Sequence, residues 1–114
     1  MEFIIKDELE GQVTVVESPE RLDAVVASDF KAKISELVEQ EKYRMVIDLS
    51  KTKFMDSSGL GALVSRIAIT KSNNGDIRVA APQKYVLELL EITHLNKVLM
   101  VFDDVASAIN SYKL

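Results

Sequence analysis

Met45-Val46-Ile47-Asp48-Leu49-Ser50, followed after a polar link by Phe54-Met55-Asp56-Ser57-Ser58-Gly59-Leu60-Gly61, is the stretch that decides the fold. Its first half is a short, nearly continuous apolar run, the pattern of a strand covered by neighbours. Its second half passes through two serines and two glycines into a helical pattern from Ser58 to about Lys71. A buried strand running through a polar loop into a helix is one half of a βαβ unit. It also puts two hydroxyls at a helix N-terminus on a surface loop.

The same alternation extends to both sides. Phe3-Ile4-Ile5 and the β-branched Gln12-Val13-Thr14-Val15-Val16-Glu17 read as two strands of an antiparallel hairpin, with a connection ending at Gly11. Ser18 to Asp23 reads as a loop, since Pro19 cannot donate to a central ladder. Asp23 is placed to cap a helix from Ala24 to about Gln40, whose Val26, Phe30, Ile34, Leu37 and Val38 recur at helical spacing. Ser72-Asn73-Asn74-Gly75 stops the second helix. A strand over Asp76–Ala81, a helix opened by Pro82, a strand over Lys97–Phe102 and a last helix capped by Asp103 or Asp104 complete the chain. The order β-β-α-β-α-β-α-β-α predicts an α/β fold with a mixed, mostly parallel sheet, an N-terminal hairpin on its edge and about four helices.

Composition narrows the function. The 114 residues suffice for one core, and 47% hydrophobic with 28% charged residues suits a globular domain. A net charge of −4 and few aromatics argue against nucleic-acid binding. There is no apolar run of roughly 18 residues to cross a membrane. The acidic N-terminus lacks the features of a signal peptide, so the expected location is the cytoplasm. With no cysteine and a single histidine, His94, no cofactor or multi-histidine metal site is expected. His94 reads as a structural or surface histidine. Met45, Met55 and Met100 read as core filler.

Four roles suit Ser57 and Ser58. Serine caps helices, stabilising them by roughly 1 kcal/mol. A helix N-terminus also binds phosphate, but Leu60-Gly61-Ala62 matches neither a Walker A loop nor the Gly-x-Gly-x-x-Gly of dinucleotide folds. A nucleophilic serine needs a base, and His94 stands in a separate connection. A phosphate accepted from a kinase would add about −1.5 to −2 charge at a helix end that favours anions. At about 100° per residue, Leu60, Leu63, Val64 and Ile67 form the core face of this helix. Ser58, Ala62, Ser65, Arg66 and Ile69 fall on the other side, where they would form a small docking surface.

Val46-Ile47-Asp48-Leu49-Ser50 with Phe54-Met55-Asp56-Ser57-Ser58-Gly59-Leu60-Gly61 resembles the STAS domain, and within it the bacterial anti-sigma-factor antagonists. Arg21-Leu22-Asp23-Ala24 and Leu89-Leu90-Glu91-Ile92-Thr93-His94-Leu95 add to the match, which implies one STAS-like domain over residues 1–114. The resemblance implies a binding regulator that is not an enzyme, phosphorylated on Ser57. Its implied partner is an anti-sigma factor that is also a serine kinase with a histidine-kinase-like ATP fold. A PP2C-type phosphatase would reset it. The implied partner-facing set is Asp23, Asp56, Ser58, Gly59, Ala62, Arg66 and Ile69. On this reading Ser57 accepts the phosphate while Ser58 caps the helix. The loop with Pro19 stands where that family often has glycine. Two other readings are a STAS scaffold in a non-sigma pathway (secretion, motility or transporter control) and a nucleotide- or anion-binding module.

Overall fold

In the computed structural model, residues 2–113 are described; Met1 and Leu114, the two ends of the expected domain, lie outside the described residues. Five strands form one sheet in the order β1-β2-β4-β6-β7: β1 Ile5–Glu8, β2 Val13–Glu17, β4 Arg44–Asp48, β6 Asp76–Ala80 and β7 Val101–Phe102. Only β1 runs antiparallel to its neighbour. Two short strands, β3 Arg21–Leu22 and β5 Phe54–Met55, pair in parallel outside this sheet.

Each parallel strand is added on the same side of the one before it. Right-handed crossovers then place α1 Ala24–Glu39, α2 Ser57–Val64, α3 Ile67–Ser72 and α4 Lys84–Ile92 on one face. The larger core lies there: Val16, Met45, Ile47, Ile77 and Val79 of the sheet meet Phe30, Ile34, Leu63 and Leu90 of the helices. The alternate residues Val13, Val15, Val46 and Ala80 face α5, Val105–Asn110, through Ala108 and Tyr112. The Tyr112 hydroxyl lies 2.7 Å from the Met45 carbonyl and 2.8 Å from that of Asp76. Arg78 stacks over the Tyr112 ring at 4.0 Å and bonds Asp76 at 3.1 Å. Burial pushes the Tyr112 phenol well above its ordinary pKa.

The expected order of elements is present, with four differences of detail. The first strand spans Ile5–Glu8 instead of residues 3–5, and its polar residues are tolerated because it is an edge strand. The last strand shrinks to Val101–Phe102, with a 3₁₀ turn at Leu95–Lys97, so Met100 is half exposed and not core filler. Met45 and Met55 are fully packed. Residues 18–23 are not all loop, since Arg21–Leu22 is strand β3. The second helix is broken between Val64 and Ile67. There the Ser65 hydroxyl donates back to the Ala62 carbonyl at 3.0 Å, an alternative bond that bends helices. His94 is exposed, in the left-handed region at φ 62°, where it ends α4.

An ion cluster closes the end of β2. Glu17, whose side chain is largely covered, receives Lys51 at 2.8 Å and Lys6 at 3.3 Å. Lys51 first, and Lys6 after it, hold the Glu17 carboxyl below its ordinary pKa of 4.5, against the raising effect of partial burial. The folded state therefore binds this proton more weakly than the unfolded chain does. The stabilisation is present above pH 4.5 and is lost as pH falls through the lowered value. Glu17→Gln is expected to lower the urea midpoint at pH 7, and the gap from wild type should close as the pH drops through the carboxylate range. A gap that persists at low pH would assign the effect to packing.

Candidate functional site

β3 and β5 pair in the register Arg21↔Phe54 and Leu22↔Met55. The pairing is supported by Lys53 N–H donating to the Glu20 carbonyl at 2.8 Å and by the Thr52 hydroxyl donating to that of Pro19 at 2.8 Å. Arg21 covers the Phe54 ring at 4.3 Å. One residue beyond each strand stands an aspartate, Asp23 and Asp56, and each opens a helix. A short ladder outside the main sheet thus sets two helix N-termini side by side.

Asp23 is the N-cap of α1, as the sequence predicts. Its Oδ1 accepts from Val25 N–H at 3.1 Å, and its Oδ2 receives Arg21 Nε at 3.2 Å. Asp56 is the N-cap of α2. Its Oδ1 accepts from Gly59 N–H at 3.1 Å, and its Oδ2 accepts from Ala24 N–H, the first residue of α1, also at 3.1 Å. The expectation that Ser58 caps the helix is therefore corrected: aspartate is as good a cap as serine, and Asp56 stands two residues earlier. Ser57 and Ser58 are the first two helical residues. Both are exposed, and neither side chain makes a hydrogen bond within the described residues.

The two glycines of the motif differ. A Cβ on Gly59 would collide with the Leu22 carbonyl oxygen and come within 2.9 Å of Met55 Cγ. Gly59 therefore lets α2 start hard against β3, and it is buried. Gly61 is exposed, with nothing within 4 Å of a Cβ.

The expected docking side of the second helix needs correction. Ala62 is only 3% exposed, and Arg66 is half-buried with its Nε donating to Ser35 Oγ of α1 at 3.1 Å. The helix does not rest on the sheet with its back free, because α1 lies along that back. Ser58, Gly61 and Ala62 instead line a shallow cleft of about 390 Å³ against Ala24, Ala27 and Lys31. Ile69 is 44% exposed but belongs to α3, beyond the break. The structure brings together Asp23, Asp56, Ser57 and Ser58 at one end of the domain. It adds Val25, 85% exposed at the start of α1, which sequence reasoning missed. Periodicity had a signal for it, since Val25 lies off the stripe formed by Phe30, Ile34 and Leu37.

The STAS domain family model matches residues 5–108, from the start of β1 into α5. The chain belongs to the STAS domain family. An anti-sigma F factor antagonist of Paenibacillus polymyxa is 24% identical over 115 aligned positions, covering 100% of this chain and 98% of that protein. An anti-sigma-factor antagonist (STAS) domain protein from Planctomyces limnophilus superposes with a TM-score of 0.80 at 25% identity, covering 96% of this chain and 97% of that one. The Bacillus cell fate determinant SpoIIAA in its phosphorylated form superposes with a TM-score of 0.74 at 20% identity, covering 98% and 100%. Among the described residues of this STAS domain, no helix is long and apolar enough to cross a membrane, and no cluster of three or more metal-ligating side chains occurs.

Proposed function

We propose that this STAS domain is a protein-binding switch, an antagonist of an anti-sigma factor, set by phosphorylation of Ser57. The observation that carries the reading is the free Ser57 hydroxyl on a helix that Asp56 caps. A phosphate can be added to that oxygen without removing a cap or entering the core. The helix end favours the added anion by a few tenths to 1 kcal/mol, roughly, at an exposed site. The likeness to an anti-sigma F factor antagonist and to a phosphorylated SpoIIAA supports the same reading.

In this scheme the unphosphorylated domain binds an anti-sigma factor that is also a serine kinase with a histidine-kinase-like ATP fold, freeing the sigma factor. The kinase transfers the γ-phosphoryl group of ATP to Ser57 Oγ: the new O–P bond forms as the bond to ADP breaks, and the serine proton leaves to a base of the kinase. The phosphorylated domain dissociates, and a PP2C-type phosphatase restores it. The partner-facing set is Asp23, Val25, Asp56, Ser57 and Ser58, which share one end of the domain. Ile69 would sit at the margin of that surface, whereas buried Gly59 and Ala62 shape it from beneath.

The test is incubation with the kinase and ATP, followed by intact-mass measurement and peptide mapping. One phosphate on Ser57 is expected in wild type and none in Ser57→Ala. Phosphate on another residue, or none on wild type, refutes the reading.

A further inference from the structure

Asp56 does more than cap its own helix. Its two oxygens are divided, Oδ1 to Gly59 N–H of α2 and Oδ2 to Ala24 N–H of α1, 32 residues earlier in the chain. Asp23, its neighbour in register, contributes only to its own side, through Val25 N–H and Arg21. We propose that Asp56 is a positioning residue that holds the N-termini of α1 and α2 in one fixed relation, so that Val25 and Ser57 meet a partner as a single rigid face.

This inference rests on the proposed binding role for its consequence but not for its geometry. Both helices are rooted in the β3–β5 ladder, yet that ladder is only two residues long. Beyond it, the first-turn bond from Ala24 to Asp56 spans the gap between the helices. A carboxylate can accept two N–H groups in different directions, whereas an amide side chain offers only one acceptor oxygen. Asparagine is nonetheless about as good a helix cap as aspartate. In Asp56→Asn the single oxygen serves Gly59, and the NH₂ group is left facing the Ala24 donor.

The same bond can be cut from the other end. Ala24 is the first residue of α1, the position at which proline is best tolerated in a helix. Asp23 before it is extended, at φ −115° and ψ −173°, clear of the α region that a following proline disfavours. Ala24→Pro thus removes the donor without breaking the helix, and its Cδ, standing where the N–H hydrogen was, turns Asp56 Oδ2 away from α1.

Two measurements decide the matter. The first needs no partner: in Ala24→Pro, the amide resonances of Ser57, Ser58 and Gly59 are expected to shift, although they lie on another helix. Unmoved resonances would overturn the link. The second is a double-variant cycle of Ala24→Pro with Asp56→Asn, read both as the urea midpoint and as affinity for the anti-sigma kinase. Each single variant is expected to weaken binding about tenfold, with no further loss when they are combined, because both remove one bond. Additive losses would overturn the proposal. If wild type binds no such kinase, the proposed function fails, while the amide shifts and the urea cycle still decide the link.

Discussion

Gly59→Ala is expected to destabilise the domain by about 2–3 kcal/mol net, the size of a core overpacking defect. The added methyl would collide with the Leu22 carbonyl oxygen, which belongs to backbone and cannot rotate away, and would press on Met55 Cγ at 2.9 Å. Alanine is worth up to about 1 kcal/mol over glycine inside a helix, so the clash must exceed that gain before any loss shows. Relief requires α2 to lift from β3, which pulls Asp56 off Ala24 and shifts the serines. Gly61→Ala supplies the control. With nothing within 4 Å of its Cβ and an exposed position, it should keep the helix gain and raise stability by up to about 1 kcal/mol. Urea denaturation of the two variants measures both signs. Equal effects at the two positions would mean that the close approach of α2 to β3 is not rigid.

That contrast also shows what was legible in the sequence. The order of strands and helices follows from apolar runs alternating with helical spacing, as Met45–Leu49 and Phe30-Ile34-Leu37 illustrate. Of the two glycines in the motif, only Gly59 is pressed against backbone, while Gly61 is open. Which of the two was needed depended on β3, and two residues beside a proline carry no periodicity from which to predict a strand. The break after Val64 was hidden for another reason. Ser65 reads as an ordinary helix residue until its hydroxyl takes the Ala62 carbonyl. Periodicity puts Ala62 and Arg66 on an open side because it locates one apolar stripe and says nothing of a second helix packed along the back. The capping role of Asp56 had a readable trace. Leu22-Asp23-Ala24 and Met55-Asp56-Ser57 share an apolar residue, an aspartate and a small residue at a helix start, so the cap expected at Asp23 had its counterpart at Asp56.

Ser57→Glu is expected to separate binding from folding. At the first position of α2 an added carboxylate meets the favourable end of the helix and, against it, the Asp56 charge next door. These effects offset, so stability should stay within about 0.5 kcal/mol of wild type. In a complex that covers Ser57, the same carboxylate would be desolvated beside two aspartates. A buried, unpaired charge costs about 2–5 kcal/mol, which corresponds to affinity reduced roughly thirty-fold to a few thousand-fold. Ser57→Ala removes only an unengaged hydroxyl and should bind within about threefold of wild type. Ser58→Ala should leave stability nearly unchanged because the cap is elsewhere, whereas Asp56→Ala should lose about 1–2 kcal/mol. Titration calorimetry against the proposed anti-sigma kinase, beside urea unfolding of each variant, gives all of these values. If Ser57→Glu bound as tightly as wild type, a phosphate on that oxygen would not act through charge at the interface. If it bound weakly but also unfolded early, the hydroxyl would belong to the fold and not to a switch.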